Sequence, residues 1–142
     1  MNVDHVLIKK LRTAALHIRI DSLRATTAAG TGHPTSCLSA ADMIATLFCH
    51  TLKYDYADPF NKNNDRFIIS KGHAVPVIYA ALHQMGIISE NDLLSYRNID
   101  SVFEGHPTPR FVHNQASTGS LGQGLSIGLG MALNARCDKL CY

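Results

Sequence analysis

Three histidines in this chain each follow a glycine, in the pairs Gly32-His33, Gly72-His73 and Gly105-His106. His33 and His106 each precede proline, which favours an extended backbone at the histidine. His73 follows a short apolar run, the position at which open α/β sheets place ligand contacts. A histidine presented in this way can donate to a phosphate or an alkoxide, or transfer a proton near neutral pH. We therefore predict that His33, His73 and His106 are catalytic residues.

A glycine-rich run, Gly119-Ser120-Leu121-Gly122-Gln123-Gly124, follows the three pairs and opens a helical pattern. Unpaired amides and the helix dipole make such a start an anion-binding site, and glycine lets phosphate oxygens approach the backbone. The spacing matches neither the dinucleotide fingerprint nor a P-loop, so it does not imply a nucleotide. Close helix packing is the alternative, because Gly124 and Gly128 fall on one helix face. Both interpretations can hold together.

Zinc binding is the competing use of three histidines. The chain has no closely spaced histidine pair and no pattern of supporting carboxylates, so we predict no metal ligand among its residues. The remaining histidines are assigned structural roles, since none is presented on a glycine turn. They are His5, His17, His50, His83 and His113.

Helical periodicity predicts a first helix from about Asp4 to Ala29, ended by Gly30-Thr31-Gly32. A second helix is predicted near Ser39, where Ser39 and Asp42 have capping-box spacing. A third follows His73 and has Pro76 in its first turn, where proline is tolerated. Ser89 is expected to cap a short fourth helix. The last helix begins at the glycine-rich run, after an irregular segment over residues 98–118.

Phe67-Ile68-Ile69 is an apolar run without alternation, which predicts a strand buried on both faces. A strand, then a loop, then a helix indicates an α/β fold. One strand cannot form a sheet, so we expect a helix-rich chain with an incomplete sheet. Its missing strands would come from elsewhere.

Composition narrows the class of protein. The 142 residues suit one domain, and a formal net charge of +2 without a basic block argues against nucleic acid as a partner. The N-terminus lacks a signal-peptide pattern, and no apolar run approaches a membrane span. The four cysteines, Cys37, Cys49, Cys137 and Cys141, form no Cys-x-x-Cys pair and are expected to be thiols. A reducing, cytoplasmic setting fits best.

Five collinear segments resemble the transketolase family, in its order and spacing. They are residues 28–36, 64–67, 70–74, 105–107 and 118–124, and they cover nearly the whole chain. The resemblance is to the N-terminal part of the domain that binds the diphosphate of thiamine diphosphate. It implies that residues 1–142 are part of one such domain.

The resemblance also implies a reaction and roles for the site residues. The family transfers a two-carbon ketol unit from a ketose phosphate to an aldose phosphate, as in the pentose phosphate pathway. His33 and His106 would bind substrate hydroxyls, and His73 would lie near both diphosphate and substrate. Ser36 and the backbone of Gly119, Ser120 and Leu121 would hold the cofactor.

The chain departs from the family pattern beyond the glycine-rich run. The family binds Mg²⁺ through an acidic Gly-Asp-Gly segment and a later asparagine, and neither occurs here. A glutamate that activates the cofactor belongs to a later domain, and family sites lie between two subunits. We therefore expect a partial site that does not catalyse alone. A homodimer of a full-length enzyme, or a complementary chain, would complete it.

Four other hypotheses remain. The chain could be one part of a split enzyme, or a non-catalytic product that assembles with a longer transketolase. Within the enzymes, dihydroxyacetone synthase shares these motifs, and deoxyxylulose phosphate synthase is a more distant rival. Because its one predicted strand has no neighbour, the isolated chain is expected to be marginally folded.

Overall fold

The computed structural model describes residues 4–140, and every regular element in that range is helical. Five α-helices follow one another: α1 (His5–Ala28), α2 (Pro34–Thr46), α3 (Pro76–Gln84), α4 (Glu90–Leu94) and α5 (Gln123–Cys137). A π-helical turn at Leu47–Thr51 extends α2, and a 3-10 turn at Gly72–Ala74 precedes α3. Cys141 lies outside the described residues.

Helices α1, α2 and α3 pack together and form the hydrophobic core. Alanines line many of these contacts, including Ala15 on α1 and Ala41 on α2, and small side chains let helix axes approach closely. α3 is buried from Pro76 to Leu82. The core therefore gives a rigid support to the turns at the N-terminal ends of α2 and α3.

An aromatic cluster attaches the irregular segment 98–118 to this core. The Tyr79 ring lies edge-on to Phe103 and Phe111, with centroids 5.2 and 5.6 Å apart. The Tyr79 hydroxyl donates to the Glu104 carbonyl at 3.2 Å. The loop that carries His106 is thus held although it has no helix or strand of its own.

Helix boundaries follow the sequence signals at three of the predicted starts. α1 begins after Asp4, whose carboxylate accepts from the amides of Val6 and Leu7 at 3.0 Å. The predicted cap at Ser89 is confirmed, because Ser89 and Asp92 form a reciprocal capping box. The last helix begins at Gln123, inside the glycine-rich run, as predicted.

Two local predictions were wrong. The second helix begins at Pro34, not near Ser39, because proline at the first helical position already has the required φ and lacks only an unneeded donor. Ser39 instead lies inside α2 and donates to the Ser36 carbonyl at 3.0 Å.

The strand predicted at Phe67-Ile68-Ile69 does not form, and residues 4–140 contain no strand. These three residues are only half-buried, and the Ile69 carbonyl accepts from the Thr118 hydroxyl at 2.6 Å. A strand needs a neighbouring backbone to pair with, and here a side chain takes that place.

The apolar side chains of α1 differ widely in their burial. Ile18 is fully buried, whereas Leu16, Ile20 and Leu23 are exposed by 55%, 45% and 42%. Among the described residues, no helix is long and apolar enough to cross a membrane.

Candidate active site

His73 and Ser36 are in direct contact. The 3-10 turn presents His73, the first turn of α2 presents Ser36, and the Ser36 Oγ lies 3.0 Å from His73 Nε2. The His33 ring lies edge-on to the His73 ring, with centroids 4.8 Å apart. Two of the three predicted histidines therefore share one site, at the junction of α2 and α3.

Gly72 lets the glycine-rich run lie beside His73. Gly72 is buried, and a Cβ there would overlap the backbone of Thr118, with its carbonyl carbon only 2.7 Å away. The Thr118 hydroxyl also donates to the Ile69 carbonyl. This close approach requires glycine, since backbone cannot give way as a flexible side chain can.

His106 completes the cluster from the third loop. A Cβ on Gly119 would lie 3.6 Å from His106 Cδ2, which places the histidine ring against the start of the glycine-rich run. His106 is exposed, whereas His73 is half-buried. The structure thus brings all three predicted histidines and the glycine-rich run to one surface.

The local electrostatics favour a neutral His73. Its partial burial lowers the pKa of the ring, and electrostatic interactions with His33, Lys71 and His106 lower it further. Lys71 is itself held by the Ser39 hydroxyl, to which its Nζ donates at 3.1 Å. A neutral His73 can exchange one hydrogen bond with Ser36 and still offer its second ring nitrogen to a ligand.

The amides at the glycine-rich run converge on one oxygen. Gly119 N and Ser120 N donate to Gln123 Oε1 at 3.0 and 2.8 Å. Gly122 has φ +92°, a left-handed conformation that turns the chain into α5. Two amides that donate to one carboxamide oxygen can donate to a phosphate oxygen in the same way. The turn therefore presents two amide donors that point at one position.

Close packing, the alternative function of these glycines, is also present. Gly124 N donates to Ser70 Oγ at 3.1 Å, and a Cβ on Gly124 would lie 2.7 Å from Ser70 Cβ. A Cβ on Gly128 would make only an ordinary contact, with Ile68 Cδ1 at 3.9 Å. The glycine-rich run thus serves both packing, through Gly124, and amide presentation, through Gly119 and Ser120.

The other predicted site residue, Leu121, is 71% exposed and free to contact a ligand. Sequence reasoning did not assign Gln123 or Arg97 to the site. Gln123 stands inside the glycine-rich run, and a side-chain acceptor beside free amides was the available signal. Within residues 4–140, no group of three or more His, Cys, Asp or Glu is placed to hold a metal ion.

Comparison with known proteins identifies the family. The family model described as transketolase, thiamine diphosphate binding domain, matches residues 10–140. The chain belongs to the transketolase family. It is 48% identical to the human transketolase over 140 residues, which is 98% of this chain and 22% of that protein.

Solved transketolases share the fold of the described chain. A transketolase from Leishmania mexicana superimposes with a TM-score of 0.78 at 34% identity, over 86% of this chain and 18% of the other. A Pichia stipitis transketolase, solved in complex with sedoheptulose-7-phosphate, gives a TM-score of 0.78 at 33% identity, over 87% and 18%. The α/β class, as a helix-rich N-terminal portion of a cofactor-binding domain, is thereby confirmed.

The chain spans about a fifth of the length of its transketolase relatives, 22% of the human protein. It therefore corresponds to one region of a much longer transketolase. The site described above lies wholly within that region.

Proposed function

We propose that this chain supplies the diphosphate-binding turn and three histidines of a transketolase-type site. The reaction would be transfer of a two-carbon ketol unit from a ketose phosphate to an aldose phosphate, as in the pentose phosphate pathway. One observation carries the proposal: the contact between Ser36 and His73 lies beside the amides of Gly119 and Ser120, with His33 and His106 at its edges.

Thiamine diphosphate fits the donors of this site. The amides of Gly119 and Ser120 now share a neutral carboxamide oxygen, which an anionic phosphate oxygen can replace. Ser36 and His73 would each donate to the diphosphate once it replaces the hydrogen bond between them, and Leu121 would pack against the cofactor rings. When bound, the cofactor supplies the carbon nucleophile that attacks the ketose carbonyl and the electron sink for bond cleavage.

The histidines of this chain would bind and orient the sugar and move its protons. His33 contacts the His73 ring and His106 lies near it. Both would bind substrate hydroxyls, with His33 taking or giving the proton at the reacting oxygen. Because its pKa is lowered, His73 would be neutral at pH 7, with one N–H that can donate to the diphosphate and one ring nitrogen that can accept a proton. The lowered pKa of His73 supports this role.

Complete turnover is proposed to need more than this region. We infer that Mg²⁺ accompanies the diphosphate, since its charge offsets several phosphate oxygens, and that its ligands come from outside the described residues. A transketolase-length partner, in a homodimer or as a complementary chain, would provide them. We also infer a cytoplasmic setting, because Cys37, Cys49 and Cys137 are unpaired thiols.

The proposal is tested by titrating the isotope-labelled chain with thiamine diphosphate and with pyrophosphate, using NMR. We expect both ligands to shift the amide resonances of Gly119 and Ser120 and the ring resonances of His73. Ser36→Ala should weaken the binding of both ligands. Thr35 is an exposed neighbour in the same turn, and Thr35→Ala should leave their binding unchanged. A folded chain whose Gly119 and Ser120 resonances ignore both ligands would contradict the proposal.

A further inference from the structure

The dipeptide Tyr96-Arg97 lies between the two loops that present His33 and His106. Tyr96 is fully buried, and its Cε1 lies 3.5 Å from the position of a Cβ on Gly32. The Arg97 Nη1 donates to the Thr31 hydroxyl at 3.1 Å. Both residues therefore contact the Gly30-Thr31-Gly32 turn, directly before His33.

Arg97 also holds the second loop, at the residue directly before His106. A Cβ on Gly105 would lie 2.6 Å from Arg97 Nη2 and 2.8 Å from Cζ, so the guanidinium covers the glycine face. The Arg97 amide donates to the Phe103 carbonyl at 2.8 Å. One residue thus contacts both histidine loops, through its side chain and its backbone.

The backbone of Arg97 is in an uncommon conformation. Its φ is +63°, and Lys139 is the only other non-glycine residue in the described range with positive φ. Such a conformation costs on the order of 1 kcal/mol or more for a side chain other than glycine or asparagine, and persists where surrounding contacts determine it. Arg97 follows the end of α4, where glycine would stop a helix without strain. The contacts of its side chain explain why an arginine is held there.

We propose that Arg97 is a positioning residue that sets the separation between His33 and His106. The planar guanidinium packs flat against Gly105 while one nitrogen reaches Thr31, and its Cζ lies 5.7 Å from the centre of the Tyr96 ring. Lysine has the charge but lacks the planar group that fills this space. The role of His33 and His106 in binding substrate rests on the proposed function. The positioning of their loops by Arg97 does not depend on it.

Arg97→Gly distinguishes the positioning role of the Arg97 side chain from the role of its left-handed backbone in ending α4. Glycine keeps the left-handed backbone without strain and removes only the side chain, so we expect the variant to fold at least as stably as the parent. The nuclear Overhauser contact between the Gly119 α-proton and His106 Hδ2 should nevertheless be lost, and the ring resonances of His106 should shift. Those of His83, which is held by Asp21, should stay unchanged.

Lys139→Gly is the matched control, because Lys139 also has a left-handed φ, of +56°. It should leave the contact between Gly119 and His106 intact. Arg97→Asn tolerates the same backbone and tests the side chain again if the glycine variant does not fold. Retention of the Gly119–His106 contact in a folded Arg97→Gly or Arg97→Asn chain would overturn the proposal.

A double-mutant cycle measures the contact with Gly105 directly. Gly105→Ala alone should lower the melting temperature, since its methyl group would collide with the guanidinium. In the Arg97→Gly background, Gly105→Ala should lower the melting temperature much less. Additive losses would show that Arg97 does not hold this loop. Neither experiment uses cofactor, so failure of the thiamine diphosphate titration would overturn the proposed function and leave the role of Arg97 standing.

Discussion

At the scale of single residues, a few side chains control this site. One accepts hydrogen bonds from the backbone amides of the glycine-rich run, and others lower the pKa of His73. The Gln123 carboxamide oxygen accepts from both amides that a diphosphate would use, and His73 is held between Ser36 and His33. Each contact sets how readily an anion can enter. Substitutions at Gln123 and His73 therefore test the chemistry without disturbing the core.

Gln123 is predicted to compete with the diphosphate for the amides of Gly119 and Ser120. Gln123→Ala leaves these exposed amides to water and should tighten pyrophosphate binding by up to about tenfold, the worth of one or two net hydrogen bonds. Gln123→Glu should weaken binding, because a carboxylate caps the amides more strongly and repels the ligand. Isothermal titration calorimetry measures both changes. Equal affinities for the three proteins would show that Gln123 does not compete.

His73 is predicted to titrate below pH 6.5, its ordinary pKa, because partial burial and nearby positive charges oppose its protonation. The folded state then binds this proton less tightly than the unfolded chain. The contribution of neutral His73 to the free energy of unfolding is complete above pH 6.5. It falls as the pH drops towards the lowered pKa. NMR titration of the ring measures the midpoint. His73→Gln should make the melting temperature depend less on pH over this range. A midpoint above pH 6.5 for the wild-type ring would refute the prediction.

At the scale of elements, a buried polar contact joins α1 to α3. Asp21, only 3% exposed, accepts from the His83 ring at 2.7 Å and from Gln84 at 2.5 Å, and it pairs with Arg24 at 3.1 Å. Burial raises the pKa of Asp21, but these hydrogen bonds outweigh it and the net pKa is lowered. This contact fixes the register of the two helices whose neighbouring turns present the site.

Asp21→Asn is predicted to destabilise the chain by about 2 kcal/mol, because hydrogen bonds to a buried charge are replaced by an amide that faces donors. The contribution of Asp21 is present above its unfolded pKa of 3.8 and is lost as the pH falls through the lower folded value. Urea unfolding at pH 7 and at low pH measures both effects. Asp42→Asn, in an exposed pair with Arg19, should change stability much less. Equal losses for the two variants would contradict a special role for Asp21.

At the scale of the whole molecule, α1, α2 and α3 form a packed core, whereas α5 is loosely attached. The leucines of its apolar row, Leu125, Leu129 and Leu133, are exposed by 80%, 60% and 53%, and Leu121, just before the helix, by 71%. Among the described residues, its hydrogen bond to the rest of the chain runs from the Gly124 amide to Ser70, near its N-terminus. Local stability therefore differs along the chain. The glycine-rich run lies between the packed core and the more weakly held α5.

Hydrogen exchange is predicted to be much faster in α5 than in α3. α3 is buried along nearly its whole length and should exchange only through global unfolding, whereas α5 can open locally. Exchange followed by mass spectrometry on the intact chain measures the difference. Leu129→Lys should leave the protection of α3 unchanged, since this side chain is 60% exposed. Equal protection of α3 and α5 would show that α5 belongs to the core.

Signals that act within a few residues were sufficient to predict much of this protein. Ser89 and Asp92 predicted their capping box, the glycine-rich run predicted the start of α5, and the Gly-His pairs with the flanking motifs led to the transketolase family. These predictions hold because capping and glycine turns depend on neighbouring backbone atoms. The strand at Phe67-Ile68-Ile69 failed because pairing needs a distant backbone that no local pattern specifies.

Only the tertiary structure decided which distant residues meet. Ser36 and His73 are 37 positions apart, and their contact depends on how α2 packs against α3. Arg97 and Thr31 are 66 positions apart, and the left-handed backbone that joins them has no sequence signal, because arginine is unusual in that conformation. Local chemistry thus determined the presentation of the histidines and the glycine-rich turn. Their arrangement as one site came from side-chain packing, which depends on the whole chain at once.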